Sequence, residues 1–343
     1  MDTPWVPLSY WNNFPHTLTV ITTYKCNAAC RECCFECGPH LSARLSRGEI
    51  IDFVDLAVQN FAGLKLVVFS GGECFLLGED LFAAIEHVRQ KGLLCRCVTN
   101  GYWGKSIAGA RRIAQQLIEC GLNEINISTG VDHAEWVAVA HVLTAAKAMA
   151  EVGIFCVITV EQDTQHSEVA LQVKADAEIA SLVQQGLLKV QINSWMPFHT
   201  NSVERKELSN RDELLYRGCD QIFENVVITP NKEVSGCCGL TFEHIPEMKL
   251  ACAGMDGLGD EYFAQTKDFL KVWLKVDGPV QIIKILSGDE DLERLSKIVH
   301  PCQACALLHQ DPGLRQKAAA EYTRHMERVL RAFYSQALMQ IER

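Results

Sequence analysis

Three cysteines crowd one short stretch of the chain, Tyr24-Lys25-Cys26-Asn27-Ala28-Ala29-Cys30-Arg31-Glu32-Cys33. Thiolates are the usual ligands of iron–sulfur clusters, and a [4Fe–4S] cubane is fully ligated by four of them. Three on one loop hold three irons and leave the last iron open to a different ligand. That open iron is the expected reactive point, and the rest of the chain must supply a pocket for what binds there. Zinc is the alternative that cysteines at this spacing also admit.

The chain has 343 residues and sixteen cysteines, the latter dense towards both ends and scattered between. A reducing compartment keeps thiols free, so clustered cysteines there point to metal or catalysis instead of disulfides. The distribution predicts two metal sites separated by ordinary buried thiols, among them Cys95, Cys97, Cys120 and Cys156. Composition is that of a globular protein, with 48% hydrophobic and 22% charged residues. The length suits one large domain with an appendage, or two ordinary domains. A net charge of −10 argues against nucleic-acid or anionic-membrane partners, whose phosphates it would repel. Met1-Asp2-Thr3-Pro4-Trp5 lacks the basic start of a secretory signal. No run is long and apolar enough to span a bilayer, so the expected location is cytoplasmic.

The elements that must position these residues alternate in kind. Leu18, Val20 and Ile21 form a short strand that runs into the cysteine loop. Ser46-Arg47-Gly48-Glu49 reads as a capping box before a helix. Strands are expected at Leu64–Phe69, Leu93–Thr99, Glu124–Ser128, Ile154–Val160 and Leu187–Asn193. Helices are expected between them, including His133–Val152 and Ser167–Gln185, with Asp132-His133 as a helix start or, alternatively, as catalytic acid–base groups. Such alternation predicts an α/β fold with a parallel sheet covered by helices. Ligands then bind at the carboxyl ends of the strands, where Gly71-Gly72-Glu73, Thr99-Asn100-Gly101, Ser128 and Glu161 fall. Beyond residue 195 the rhythm changes to a hairpin, Val226–Thr229 with Glu233–Ser235, and then to helices.

Cys26-x3-Cys30-x2-Cys33 after the first strand, Gly71-Gly72-Glu73 after the second and Thr99-Asn100-Gly101 after the third resemble the radical S-adenosylmethionine (SAM) superfamily. The resemblance covers roughly residues 15–195 and implies a partial (β/α)6 barrel. It implies that Cys26, Cys30 and Cys33 hold a [4Fe–4S] cluster and that SAM binds the open iron. Gly71 and Gly72 would let the backbone approach the methionyl end, with Glu73 near its amino group. Asn100 joins this cofactor set, and Ser128 and Glu161 stand where the ribose or carboxylate binds. Cys74, where proline commonly follows the glutamate, places an extra thiol near the cluster as a candidate catalytic group. Cys34 and Cys37 are expected to be non-ligands.

The later cysteines look like the shortened auxiliary-cluster module of the SPASM/twitch type, with Cys219, Cys237, Cys302 and Cys305 as ligands of a second [4Fe–4S] cluster or, alternatively, of zinc. Cys238 could replace Cys237; otherwise it is a free thiol able to return a hydrogen atom to a radical. The expected organisation is 15–195 core, 196–311 auxiliary module and 312–343 C-terminal helix. The resemblance implies hydrogen abstraction by a 5′-deoxyadenosyl radical and a reductant such as flavodoxin or ferredoxin. Its substrate is expected to be a ribosomally made peptide. The runner-up is an aminocyclitol or sugar, oxidised or epimerised, and a non-catalytic iron–sulfur protein is the alternative from another class. The chain starts almost directly at the first strand, which weakens the peptide expectation unless a separate protein binds the leader.

Overall fold

A computed structural model describes residues 10, 13–197, 199, 205, 215–239, 244–252, 257–288 and 290–341. The opening residues Met1–Trp5, whose composition argues against a secretory start, lie outside the described residues. Strands β1 (Thr17–Ile21), β2 (Leu66–Ser70), β3 (Leu94–Thr99), β4 (Glu124–Gly130), β5 (Phe155–Gln162) and β6 (Leu188–Ser194) alternate with helices. The helices are α1 (Arg47–Asn60), α2 (Glu79–Gln90), α3 (Ile107–Cys120), α4 (Val131–Ala134), α5 (Val139–Glu151), α6 (Glu168–Ala175) and α7 (Ala177–Gln184). The six strands pair in parallel in chain order, so all their carboxyl ends share one rim.

The capping box holds as read. Ser46 accepts the Glu49 N–H through its hydroxyl at 3.3 Å, and the Glu49 carboxylate accepts the Ser46 N–H at 2.8 Å. Behind it Ile50, Phe53, Val54 and Ala57 recur at helical spacing and are buried. Such a stripe fixes which side of α1 faces the sheet.

Two expected helices are broken. Asp176 interrupts the 167–185 stretch, and its carboxylate accepts the Glu178 and Ile179 N–H groups to start α7. The 133–152 stretch divides into α4 and α5.

After β6 the chain returns to the other side of β1. Strand β7 (Asn225–Ile228) pairs with β1 in parallel, from Thr17 opposite Asn225 to Val20 opposite Ile228. Strands β8 (Glu233–Ser235) and β9 (Lys249–Cys252) follow it antiparallel. The result is one nine-stranded sheet in the order β6-β5-β4-β3-β2-β1-β7-β8-β9. The sheet is open, with β6 and β9 as its edges, so the barrel stays partial. The expected hairpin is present, but as a continuation of the main sheet, and β9 was not foreseen.

Helices α8 (Leu258–Ala264), α9 (Phe269–Ser287), α10 (Leu292–Leu295), α11 (Pro301–Gln310) and α12 (Pro312–Ile341) complete the fold. Helix α9 kinks at Gly278, whose φ is 74° and whose missing Cβ would stand 2.0 Å from the Arg217 carbonyl. Only glycine meets both conditions. Trp273, Phe223 and Phe333 are buried in this layer. Among the described residues no helix is long and apolar enough to cross a membrane.

Candidate active site

The cysteine loop leaves β1 and returns before α1, held by backbone bridges between Thr23 and Arg44 and between Lys25 and Gly38. Cys26 Sγ accepts the Ala28 N–H at 3.4 Å, and Cys33 Sγ accepts the Cys37 N–H at 3.4 Å. Hydrogen bonds to sulfur favour thiolate and tune clusters. The Cys37 thiol beside Cys33, with the nearby N–H groups, outweighs burial and brings the Cys33 pKa down to about 6. Burial pushes Cys26 up to about 11 and raises Cys30, and each feels the charge of Cys33. Among the described residues, no three Cys, His, Asp or Glu side chains meet closely enough to grip a single metal ion. Soft thiolates suit zinc and iron–sulfur clusters alike.

The loop after β2 packs directly on this backbone. A Cβ at Gly71 (φ 132°) would stand 2.5 Å from the Thr23 carbonyl, and one at Gly72 would stand 2.2 Å from that of Lys25. The Gly72 N–H donates to Thr23 at 2.7 Å and the Glu73 N–H to Lys25 at 3.0 Å. The smallness of both glycines is therefore used in contact with the cysteine loop.

Glu73, expected near the amino group of SAM, turns its side chain into the protein. Its side chain is fully buried and accepts the Phe75 N–H at 3.0 Å, the Thr99 hydroxyl at 2.8 Å and the Asn100 N–H at 2.8 Å. Burial, against these three donors, pushes its pKa up to about 7. The carboxylate ties the end of β2 to the end of β3.

Asn100 carries that link to the cysteines. Its Nδ2 donates to Asn27 Oδ1 at 2.8 Å and lies 3.8 Å from Cys26 Sγ, while its Oδ1 accepts the Tyr102 N–H at 3.0 Å. Cys74, expected near the cluster, is instead in the core: it is wholly buried, and its thiol donates to the Val98 carbonyl at 3.2 Å. The short helical turn after Glu73 rotates it away from the rim, which removes it from the catalytic candidates.

Ser128 and Glu161 are half-buried on β4 and β5, Ser128 opposite Thr159 and Glu161 opposite Gly130. Glu161 is engaged: its Oε2 lies 2.7 Å from His133 Nδ1. Burial works against charge on His133, but Glu161, Cys33 and Asp132 outweigh it, and its pKa lies above the ordinary histidine value. Asp132 pairs with Arg205 at 3.3 Å. The Asp132-His133 pair therefore serves in ion pairs at the rim, and α4 has Gly130 at its start with no side-chain cap. The available signal was their place directly after β4.

The second cysteine group is drawn from the loop before β7, the end of β8 and the start of α11. A Cβ at Gly239 would stand 3.3 Å from Cys302 Sγ and 3.5 Å from Cys237 Sγ, and the Gly239 N–H donates to Cys237 Sγ at 3.3 Å. Cys302 and Cys305 each feel the charge of Cys219, and burial raises the pKa of all four thiols. His300 caps α11 by accepting the Cys302 N–H at 3.2 Å, which orients that turn.

Cys238 turns elsewhere. Its thiol lies 3.3 Å from Gln221 Oε1 and accepts from Asn225 Nδ2 at 3.6 Å. It packs with Ile21, Val227, Tyr24 and Phe35, against the first cysteine loop. Burial pushes its pKa up to about 11, so it is a protonated thiol at neutral pH. Cys34 is near both groups, feeling Cys33 on one side and Cys238 and Cys302 on the other.

Comparison with known proteins gives the following. Residues 20–160 match the sequence profile of the Radical SAM superfamily. YydG of Bacillus subtilis (strain 168), provisionally named a peptide biosynthesis protein, is 22% identical over 156 residues, 45% of this chain. The match spans about half of that relative, 49% of its length. Native anSMEcpe with bound AdoMet and Cp18Cys peptide superposes at a TM-score of 0.55 and 14% identity, covering 93% of this chain and 99% of that one. Native anSMEcpe with bound AdoMet gives 0.56 at 15% identity over the same shares. At such identity the likeness is one of fold.

Proposed function

We propose that this chain, whose residues 20–160 are a radical SAM superfamily domain, is a radical SAM enzyme that modifies a ribosomally made peptide. The observation that carries the reading is the joining of three strand ends at Cys26: the glycine pair after β2 is pressed on the cysteine loop, and Asn100 after β3 reaches its first thiol. Cys26, Cys30 and Cys33 would hold the [4Fe–4S] cluster. When bound, the cluster and SAM supply the electron and the 5′-deoxyadenosyl radical that takes hydrogen from a C–H bond.

The chain's own residues do the positioning. Glu73 and Asn100 fix the rim from within the protein. Glu161 holds His133 with its Nδ1 on the carboxylate, placing an imidazole and a carboxylate beside the cluster loop. Asp132 and Arg205 close the same end. Cys237, with its N–H bond and its place beside Cys302, is the fitting ligand of the second site together with Cys219, Cys302 and Cys305. Cys238 is then the free thiol. Held by Gln221 and Asn225 next to the cysteine loop, it can give its hydrogen atom to a carbon radical, and an electron from flavodoxin or ferredoxin with a proton restores it. This favours inversion of a stereocentre, in which a C–H bond is broken and remade.

The peptide as substrate is supported by the names of the relatives: one is provisionally assigned to peptide biosynthesis, and the other binds a peptide together with AdoMet. The test is to incubate the reconstituted protein, SAM and dithionite with short peptides encoded beside its gene, in deuterated water. Gain of a single deuterium at one residue supports the reading. Deuterium-free peptide alongside a modified sugar would overturn it.

A further inference from the structure

Strand β5 carries Glu161 and Gln162 side by side, and successive residues of a strand point to opposite faces of its sheet. Glu161 faces His133 at the rim. Gln162 therefore points to the other face, where it lines a cavity of about 330 Å³ together with Ile192 of β6. The facing wall is Ser167, Ala170, Leu171 and Lys174, residues whose spacing puts them on one side of α6.

Two polar groups of this cavity have nothing to bond. Among the described residues, Gln162 Oε1 and Ser167 Oγ are buried without a hydrogen-bond partner. Gln162 is 4% exposed and Ser167 is 3% exposed. Ser167 stands at the N-cap of α6 but makes no capping bond, so the first N–H groups of that helix lack their usual side-chain acceptor. A buried polar group is costly unless something bonds it. One bridging water takes about 30 Å³, a small part of this space. Small-ligand pockets begin at roughly 300 Å³, the size found here.

The lining indicates the class of ligand. Lys174 brings a positive charge, and among the described residues no carboxylate lines the cavity. The N-terminal end of a helix also favours an anion. The Ser167 hydroxyl can donate to one, whereas an unpartnered amide oxygen calls for an N–H. We propose that this cavity binds a small carboxylate with a neighbouring amide N–H, the pair that the last residue of a peptide presents. The carboxylate lies towards Ser167 and Lys174, and the N–H towards Gln162 Oε1. Binding makes and breaks no covalent bond, and it takes place across the sheet from Glu161.

The experiment is equilibrium dialysis of radiolabelled N-acetylglycine against the full chain, reconstituted anaerobically and saturated with SAM so that the cofactor's own site is filled. Saturable binding is expected. N-acetylglycinamide should fail to compete, and acetate should compete about tenfold more weakly, having lost one buried hydrogen bond. Lys174→Ala and Gln162→Leu should each weaken binding about tenfold. Lys174 is exposed, so its variant keeps the fold even if Gln162→Leu does not. Absence of saturable binding, or binding that Lys174→Ala leaves unchanged, overturns the site. Acetate competing as well as N-acetylglycine overturns the role of Gln162 and the peptide-like ligand with it. The readout is binding and not turnover, so these outcomes are independent of whether the enzyme modifies a peptide.

Discussion

The side-chain amide of Asn100 lies 3.8 Å from the sulfur of Cys26, although the two residues are 74 positions apart. The same side chain is clamped by Asn27 and Tyr102, and its backbone N–H is held by Glu73. Groups that orient a metal ligand from behind typically contribute about 10–100-fold to affinity or activity. Asn100→Ala should therefore keep the fold and most of its iron while slowing SAM cleavage by about 10–100-fold. Iron content and 5′-deoxyadenosine formation, measured on the same sample, check this.

Gly72 is where a side chain is least admissible, since its Cβ would lie 2.2 Å from the Lys25 carbonyl. Gly72→Ala must push the cysteine loop away from the β2 rim. The variant should lose most of its iron from the first site yet retain the second. Gly48→Ala, at a position with open space around it, should load normally.

Glu73 predicts a pH dependence of stability in the metal-free protein. Its folded pKa is about 7, above the ordinary glutamate value near 4.3 in an unfolded chain. The folded state then binds more protons between these values, so the contribution is complete below the lower one. It is lost as pH rises through the upper one, by on the order of 3 kcal/mol. Urea midpoints between these pH limits should fall for the parent protein and stay nearly flat for Glu73→Gln. A parent slope equal to that of the variant would contradict this.

These two residues also show what sequence can and cannot disclose. Cys26, Cys30, Cys33 and the Gly-Gly-Glu turn were legible because short-range spacing and strand order mark them. The inward turn of Glu73 was not, since a carboxylate after a strand looks alike whether it meets a ligand or three backbone and hydroxyl donors. Cys74 was misplaced because one helical turn after Glu73 decides its direction. His133 was hidden for a similar reason: its partner Glu161 lies on the next strand, and only register brings them together. The parallel strands were legible from their apolar runs, whereas β7 beside β1 is a long-range pairing without a local signature.

Cys238→Ala separates hydrogen return from hydrogen abstraction. The thiol touches Gln221 and Asn225. Its removal should leave 5′-deoxyadenosine formation in place while abolishing deuterium uptake from solvent into the peptide. Cys237→Ala should instead deplete iron at the second site, and exchanged phenotypes would reassign the two thiols.

The central claim is tested most directly by anaerobic reconstitution with iron and sulfide, followed by SAM and dithionite, with chromatographic detection of 5′-deoxyadenosine. The parent chain should load about eight irons, as two cubanes require, and form the nucleoside. Cys30→Ala should abolish its formation and Cys34→Ala should preserve it. A fully loaded parent that yields no 5′-deoxyadenosine in the presence of peptide would contradict the account.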